Sequence, residues 1–284
     1  MLAVGVWRAA SRSFKLCRMT VVPEDVRAFA VKPFRGVPLP PDMQQIEAGG
    51  AVLTLNRGNG AQWVHIEAER FDVGETVAAI REVAGRHGKA TLAWWITSAD
   101  AWAIPGLEAA GLANRDGPGY EAVLHALALV TEPAGQAPDD VAVEVVSTWE
   151  QYSTSYDVFA EVFGTPPVAD DVRRARWKSY GLRGCRVIAS LEGQIVGAAA
   201  ADYGPTALGL MAGAVLPEAR GRGVYTAMVH ARWRVAVERR TPALTITAGR
   251  MSRPICERMG FQYLEPIRIF VDELAFDVDA RAER

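Results

Sequence analysis

The chain has 284 residues, half of them apolar, with 31 basic against 33 acidic side chains and a net charge of −2. That length exceeds one average domain and predicts two, and the near-neutral balance gives no electrostatic reason for binding nucleic acid. No apolar run approaches the ~20 residues of a membrane span, and the three dispersed cysteines Cys17, Cys185 and Cys256 make neither a disulfide framework nor a zinc site. A soluble cytoplasmic protein without a metal, nucleic-acid or membrane partner is the expectation.

Residues 1–18 carry Arg8, Arg12, Lys15 and Arg18 with no acid, and the apolar stretch Leu2 to Trp7 is too short for a signal-peptide core. They read as a disordered lead-in, with Met19 an alternative start. Pro23 followed by Glu24 and Asp25 opens a helix, and prolines at 33, 38, 40 and 41 then break regular structure over Lys32 to Asp42. Ala51 to Leu55 and Trp63 to Glu67 predict two strands, joined by a hairpin turn at Asn56-Arg57-Gly58-Asn59-Gly60. His65, alone on the second strand, reads as structural rather than catalytic. Val73 to His87 has helical spacing stopped by Gly88. Ala90 to Thr97 predicts a strand, Leu107 to Leu112 the end of a short helix, and Tyr120 to Leu129 another strand.

Thr131 to Asp140, rich in Pro, Gly and Asp, reads as a linker. Beyond it come a strand at Val141 to Val146, helices at Tyr152 to Phe163 and Asp170 to Tyr180, and strands at Cys185 to Leu191 and Ile195 to Asp202. The run Leu208 to Met228 then passes from an apolar strand through Pro217 and the loop Arg220-Gly221-Arg222-Gly223 into a helix whose stripe is Val224, Ala227, Met228, Ala231 and Val235. Free amides at a helix N-terminus, with glycines that let backbone approach closely, favour a phosphate. Neither GxxxxGK[ST] nor GxGxxG fits, because Thr226 stands where a third glycine belongs. A strand at Leu244 to Thr247, a short helix at Ser252 to Met259 and a strand at Ile267 to Asp272 follow.

At Val215, Pro217, Arg220, Gly221 and Gly223 the chain resembles the GNAT superfamily of acyl-CoA-dependent N-acyltransferases, whose central motif is roughly V-x-P-x-x-[RQ]-G-x-G-x-[GA]; Tyr225 departs at the last position. The resemblance implies a coenzyme A pyrophosphate on the backbone of Arg220, Gly221, Arg222, Gly223, Val224, Tyr225 and Thr226, and pantetheine along Val215. It also implies a main-chain donor at Gly213 for the thioester oxygen. Gly213 marks a bulge that frees this amide or, with Gly209, admits a close neighbour. The family's short C-terminal helix carries an acidic tyrosine four residues before Gly-Phe; here Cys256 stands there, and a thiol is a poor donor. Ser252 is placed to cap that helix, with Pro254 in its first turn, and to offer its hydroxyl to coenzyme.

An amine must be uncharged to attack a thioester, so a proton acceptor is required. Asp202, Asp157 and Glu161 are the candidates for a relay through water, or else solvated surface acids. His230 falls off the helical stripe and is expected exposed or near the adenosine end. The cluster Arg232, Arg234, Arg239 and Arg240 is read as a helix C-terminal group facing the dipole or the coenzyme 3′-phosphate.

The segments ATLAWWIT, LEAAGL and YEAVLHAL occupy the places that ALTITA, CERMGF and IRIFVDEL take later. The expected architecture is therefore α/β, two GNAT-like domains, each a mixed, mainly antiparallel twisted sheet flanked by helices. Residues 19–130 form a degenerate half, 131–140 the linker and 141–284 the acyl-CoA-binding half. In place of the loop the first half has Glu67, Glu69, Asp72 and Glu75, acids that would repel a pyrophosphate. The expected activity is transfer of an acetyl or other acyl group from acetyl-CoA or a related acyl-CoA to a primary amine of a small molecule, by direct attack in a ternary complex. A non-catalytic acyl-CoA-binding regulator is the competing class.

Overall fold

The computed structural model describes residues 20–56, 60–117 and 121–274. The lead-in, Cys17 and the tip of the hairpin turn at 57–59 lie outside the described residues. Helix α1 (Glu24–Val31) precedes strands β1 (Met43–Ala48), β2 (Ala51–Asn56) and β3 (Gln62–Ile66), then α2 (Val73–Arg86), β4 (Thr91–Ile96), α3 (Ile104–Ala109), β5 (Ala113–Asn114) and β6 (Val123–Leu129). After the linker come β7 (Val141–Val145), α4 (Trp149–Phe163), α5 (Asp170–Trp177), β8 (Gly184–Leu191), β9 (Gln194–Tyr203), β10 (Leu208–Val215), α6 (Val224–Glu238), β11 (Leu244–Ala248), α7 (Arg253–Arg258) and β12 (Gln262–Glu273).

Local chemistry explains the boundaries. α4 begins three residues earlier than the apolar spacing implies, because Thr148 and Gln151 form a reciprocal capping box, and it stops at Gly164, a left-handed residue with φ 62°. α2 starts at Asp72, whose carboxylate accepts the Glu75 amide at 2.9 Å. β1, with the polar sequence MQQIEA, is an unforeseen strand. β12 starts five residues before the apolar alternation does, and β6 starts three residues later than Tyr120.

All the strands belong to one sheet, in the order β1-β2-β3-β4-β12-β6-β11-β10-β9-β8-β7, with β5 beside β12. Among the described residues, only β3/β4 and β10/β11 pair in parallel. The two halves of the chain thus repeat one plan, a parallel pair inside an antiparallel meander, and they exchange their last strands. β6 leaves the first half to pair with β11, while β12 leaves the second half to pair with β4 and with β6.

The halves are also joined by side chains. Phe29 of α1 packs with Ala128, Ala207 and Ala243, and its ring fills the space a Cβ would need at Gly204. Arg176 of α5 grips both oxygens of Asp42, and Arg81 of α2 grips Asp272 of β12.

Candidate active site

The parallel register of β10 and β11 ends at Leu210 opposite Ile246. On its other side β10 runs against β9 until Met211 opposite Ala200, and resumes at Ala214 opposite Ala198. Two residues, Ala212 and Gly213, therefore stand against one, which is a β-bulge, and Ala212 has φ 43°. Neither ladder pairs Ala212 or Gly213 in register, and both residues line the opening where the strands part. Gly213 lies in the bulge and also admits a close neighbour, since a Cβ there would lie 2.6 Å from the Tyr225 ring. A cleft of about 760 Å³ opens here, lined among others by Leu210, Gly213, Tyr225, Arg232, Thr247 and Ser252.

The first turn of α6 reaches this opening through Tyr225. Gly221 and Gly223 have φ 77° and 75°, values that only glycine adopts without strain, and no side chain caps the helix. Gly221 is open to solvent, whereas Pro138 of the linker covers Gly223, 2.5 Å from where a Cβ would sit. Arg220 turns back to the Val215 carbonyl, and Arg222 pairs with Asp140 at 2.8 Å. The corresponding terminus of α2 is already occupied by Asp72, and Glu67 is held by Arg35 at 2.7 Å.

The cleft floor holds what the sequence did not reveal. The Tyr225 hydroxyl stands 3.8 Å from the Cys256 sulfur, so a phenol from α6 arrives beside the α7 position where the family motif has its tyrosine. Burial pushes the Tyr225 phenol well above its ordinary range and pushes the Cys256 thiol up as well, so both are protonated at neutral pH. Arg232, grouped by sequence with Arg234, Arg239 and Arg240 as a helix C-terminal cluster, is 1% exposed. At ~100° per residue it lies about 80° around α6 from Val224, on the same flank as Tyr225. Its Nε donates to the Met228 carbonyl at 3.0 Å and its Nη1 to the Ala200 carbonyl at 3.1 Å, while Nη2 is buried without a hydrogen-bond partner.

Other candidates are placed differently. Asp202 lines the cleft, but both of its oxygens accept from Arg183 at 2.9 Å. Asp157 pairs with Arg173 at 2.8 Å, and Glu161 is exposed. Ser252 does not cap α7; its hydroxyl accepts the Gly249 amide at 3.1 Å instead, which tightens the turn before the helix. His230 is partly buried beside Glu132 and Trp233, away from the cleft. His65 is enclosed by Phe34 and Trp95, and burial, followed by the charge of Lys32, lowers its pKa to about 3, so it stays neutral.

A second cavity of about 390 Å³ shares Phe34, Trp63, Asp202, Met211 and Ala212 with the first. Its far wall is aromatic, with Tyr152, Tyr156, Phe159 and Tyr180 drawn from α4 and the turn after α5. Burial raises the Tyr180 phenol to about 12. At Tyr156 burial opposes ionisation, but the guanidiniums of Arg186 and Arg176 outweigh it and hold the phenol below its ordinary value. The two cavities meet at the bulge, and each is bounded by residues of both halves.

No protein-family model and no curated protein matches the chain. Solved structures do. A GCN5-related N-acetyltransferase from Kribbella flavida matches with a TM-score of 0.69 at 16% identity, over 89% of this chain and 98% of that one. A second, from Sphaerobacter thermophilus, gives 0.59 at 15% over 87% and 86%. A tandem GNAT protein from the clavulanic acid biosynthesis pathway gives 0.57 at 16% over 90% and 89%. The fold is therefore that of the GCN5-related N-acetyltransferases, a mixed α/β sheet flanked by helices. Its arrangement is tandem.

Proposed function

We propose that this chain is an acyl-CoA-dependent N-acyltransferase that moves an acetyl or related acyl group onto a primary amine of a small molecule by direct attack. The observation that carries the reading is the bulge Ala212–Gly213, set where the parallel strands part, in a cleft that Tyr225 of the first turn of the uncapped α6 lines and that adjoins an aromatic cavity. The residues fit a coenzyme: the backbone of Arg220 to Thr226 would hold the pyrophosphate, with Val215 beside the pantetheine and Ser252 on the cleft wall. A bound acyl-CoA supplies a thioester carbonyl and a thiol leaving group.

The Gly213 amide donates toward the carbonyl oxygen as charge develops there. Tyr225, rather than Cys256, holds the proton for the departing sulfur, because a phenol is the stronger donor and burial keeps it protonated. This hydroxyl supplies the group whose absence from α7 motivates the non-catalytic alternative. Asp202, clamped by Arg183, shapes the junction of the cavities and is a positioning residue. The wall formed by Tyr152, Tyr156 and Phe159 receives the amine.

One coenzyme per chain is expected, held by residues after 141, because Asp72 occupies the α2 terminus in the first half. Calorimetry with acetyl-CoA and thiol release over an amine panel test the reading. A single site per chain with amine-dependent release supports it. Two equivalent sites would overturn the stoichiometry, and binding without release on any amine would favour a regulatory protein.

A further inference from the structure

Arg232 is a buried cation without a counter-ion. Of the other arginines that face the cavities, Arg183 is neutralised by Asp202 and Arg176 by Asp42, whereas Arg186 has no ion pair among the described residues. Arg232 forms no ion pair with any described residue, and its titratable neighbours are Cys185, Cys256 and Tyr225, whose neutral hydroxyl is a polar contact but not a counter-charge. Each of these is held neutral by burial, Cys185 at about 11. A guanidinium removed from water, given two backbone carbonyls and left with Nη2 unsatisfied, is strongly unfavourable unless an anion completes it. It lines the cleft together with Tyr225.

Resting on the acyltransferase reading, we propose that Arg232 is a carboxylate-binding residue, and that the ligand it completes is a substrate whose reacting end carries a carboxylate. A planar fork of donors matches a carboxylate, and an acetyl group would leave Nη2 orphaned. Two sources share this chemistry: an acyl-CoA with a terminal carboxyl group, or an acceptor amine that bears one. A second unpaired guanidinium separates them. Arg186, on β8, donates to the Ser155 hydroxyl at 2.7 Å and lies 3.9 Å from the Tyr156 ring centre, in the aromatic cavity alone. A carboxylate carried by the acceptor enters past Arg186, whereas one carried on the acyl chain does not.

The test is thiol release by the full chain with acetyl-CoA and succinyl-CoA, each over amine pairs that differ only in a carboxylate, for wild type, Arg232→Lys, Arg232→Met and Arg186→Met. At least a tenfold kcat/KM preference for the carboxylate member of one series is expected, abolished in Arg232→Met and partly kept in Arg232→Lys, with acetyl-CoA affinity unchanged. A succinyl-CoA preference insensitive to Arg186→Met assigns the carboxylate to the acyl group; an amine preference reduced by Arg186→Met assigns it to the acceptor. Equal rates within every pair, or a preference that survives Arg232→Met, overturn the proposal and leave acyl transfer standing. If no acyl-CoA binds, acyl transfer itself fails, and thermal unfolding in millimolar succinate and glutamate decides the carboxylate site. A midpoint raised in wild type and not in Arg232→Met supports it, and no rise overturns it. Should Arg232→Met fail to fold, Arg232→Lys carries the comparison.

Discussion

Tyr225→Phe removes one oxygen atom from the cleft floor and little else. The ring keeps its place over Gly213 and against the clusters on both sides of α6. The hydroxyl stands 3.8 Å from the Cys256 sulfur, a weak acceptor, and also neighbours the buried Arg232 guanidinium, so its loss costs folding about 1 to 3 kcal/mol. Catalysis is expected to suffer more. Proton donation by a positioned side chain contributes about 10² to 10⁴ in rate, or roughly 3 to 5 kcal/mol of barrier at 1.36 kcal/mol per tenfold. Thiol release at saturating amine should therefore fall about a hundredfold or more, with calorimetric acetyl-CoA affinity within about twofold of wild type. Cys256→Ala should lose less than about tenfold. A Tyr225→Phe enzyme with nearly wild-type kcat, or a Cys256→Ala enzyme as impaired as Tyr225→Phe, would refute the assignment of the acid.

Gly221→Ala and Gly223→Ala both force alanine into a left-handed conformation, at about 1 to 2 kcal/mol. Only the second meets Pro138, so urea denaturation should show a larger loss for Gly223→Ala, and adding Pro138→Ala should recover the difference. His65 takes up a proton near 6.5 in the unfolded chain and only near 3 in the folded one, so stability falls as pH drops through that window. This group should cost about 2 kcal/mol between pH 6.5 and 5, and unfolding of His65→Phe at the two pH values should lack that part of the loss. Asp42 is 4% exposed at its side chain and holds Arg176 across the halves, so Asp42→Asn should destabilise by about 3 kcal/mol, read as a lower urea midpoint. An unchanged midpoint would mean the clamp is replaced by water.

The glycine loop was legible because its chemistry is local: a strand, left-handed glycines and an apolar helical stripe follow one another in the chain. Tyr225 was read only as a departure from a motif whose contacts are made by backbone, yet its position, seven residues before Arg232, places the two on one flank of α6. That spacing was the available signal, and the surrounding Arg234, Arg239 and Arg240 concealed it by giving Arg232 the look of a member of a helix C-terminal cluster. β1 escaped notice because a polar edge strand lacks strong alternation. The exchange of β6 and β12 could not be read at all, since the pattern of a strand records which face is buried and not which neighbour it chooses.

That exchange sets an order of events during synthesis. β12, the last strand of the described chain, supplies a hydrogen-bonding edge to β4 and another to β6. Until it leaves the ribosome, the first half presents an open edge at β4, and β6 has no partner on one side. Neither half can be completed in sequence, so the nascent chain waits with two exposed templates for mispairing. Residues 262–273 then close both at once, which makes the interval before they emerge the one in which these two halves have most need of a chaperone.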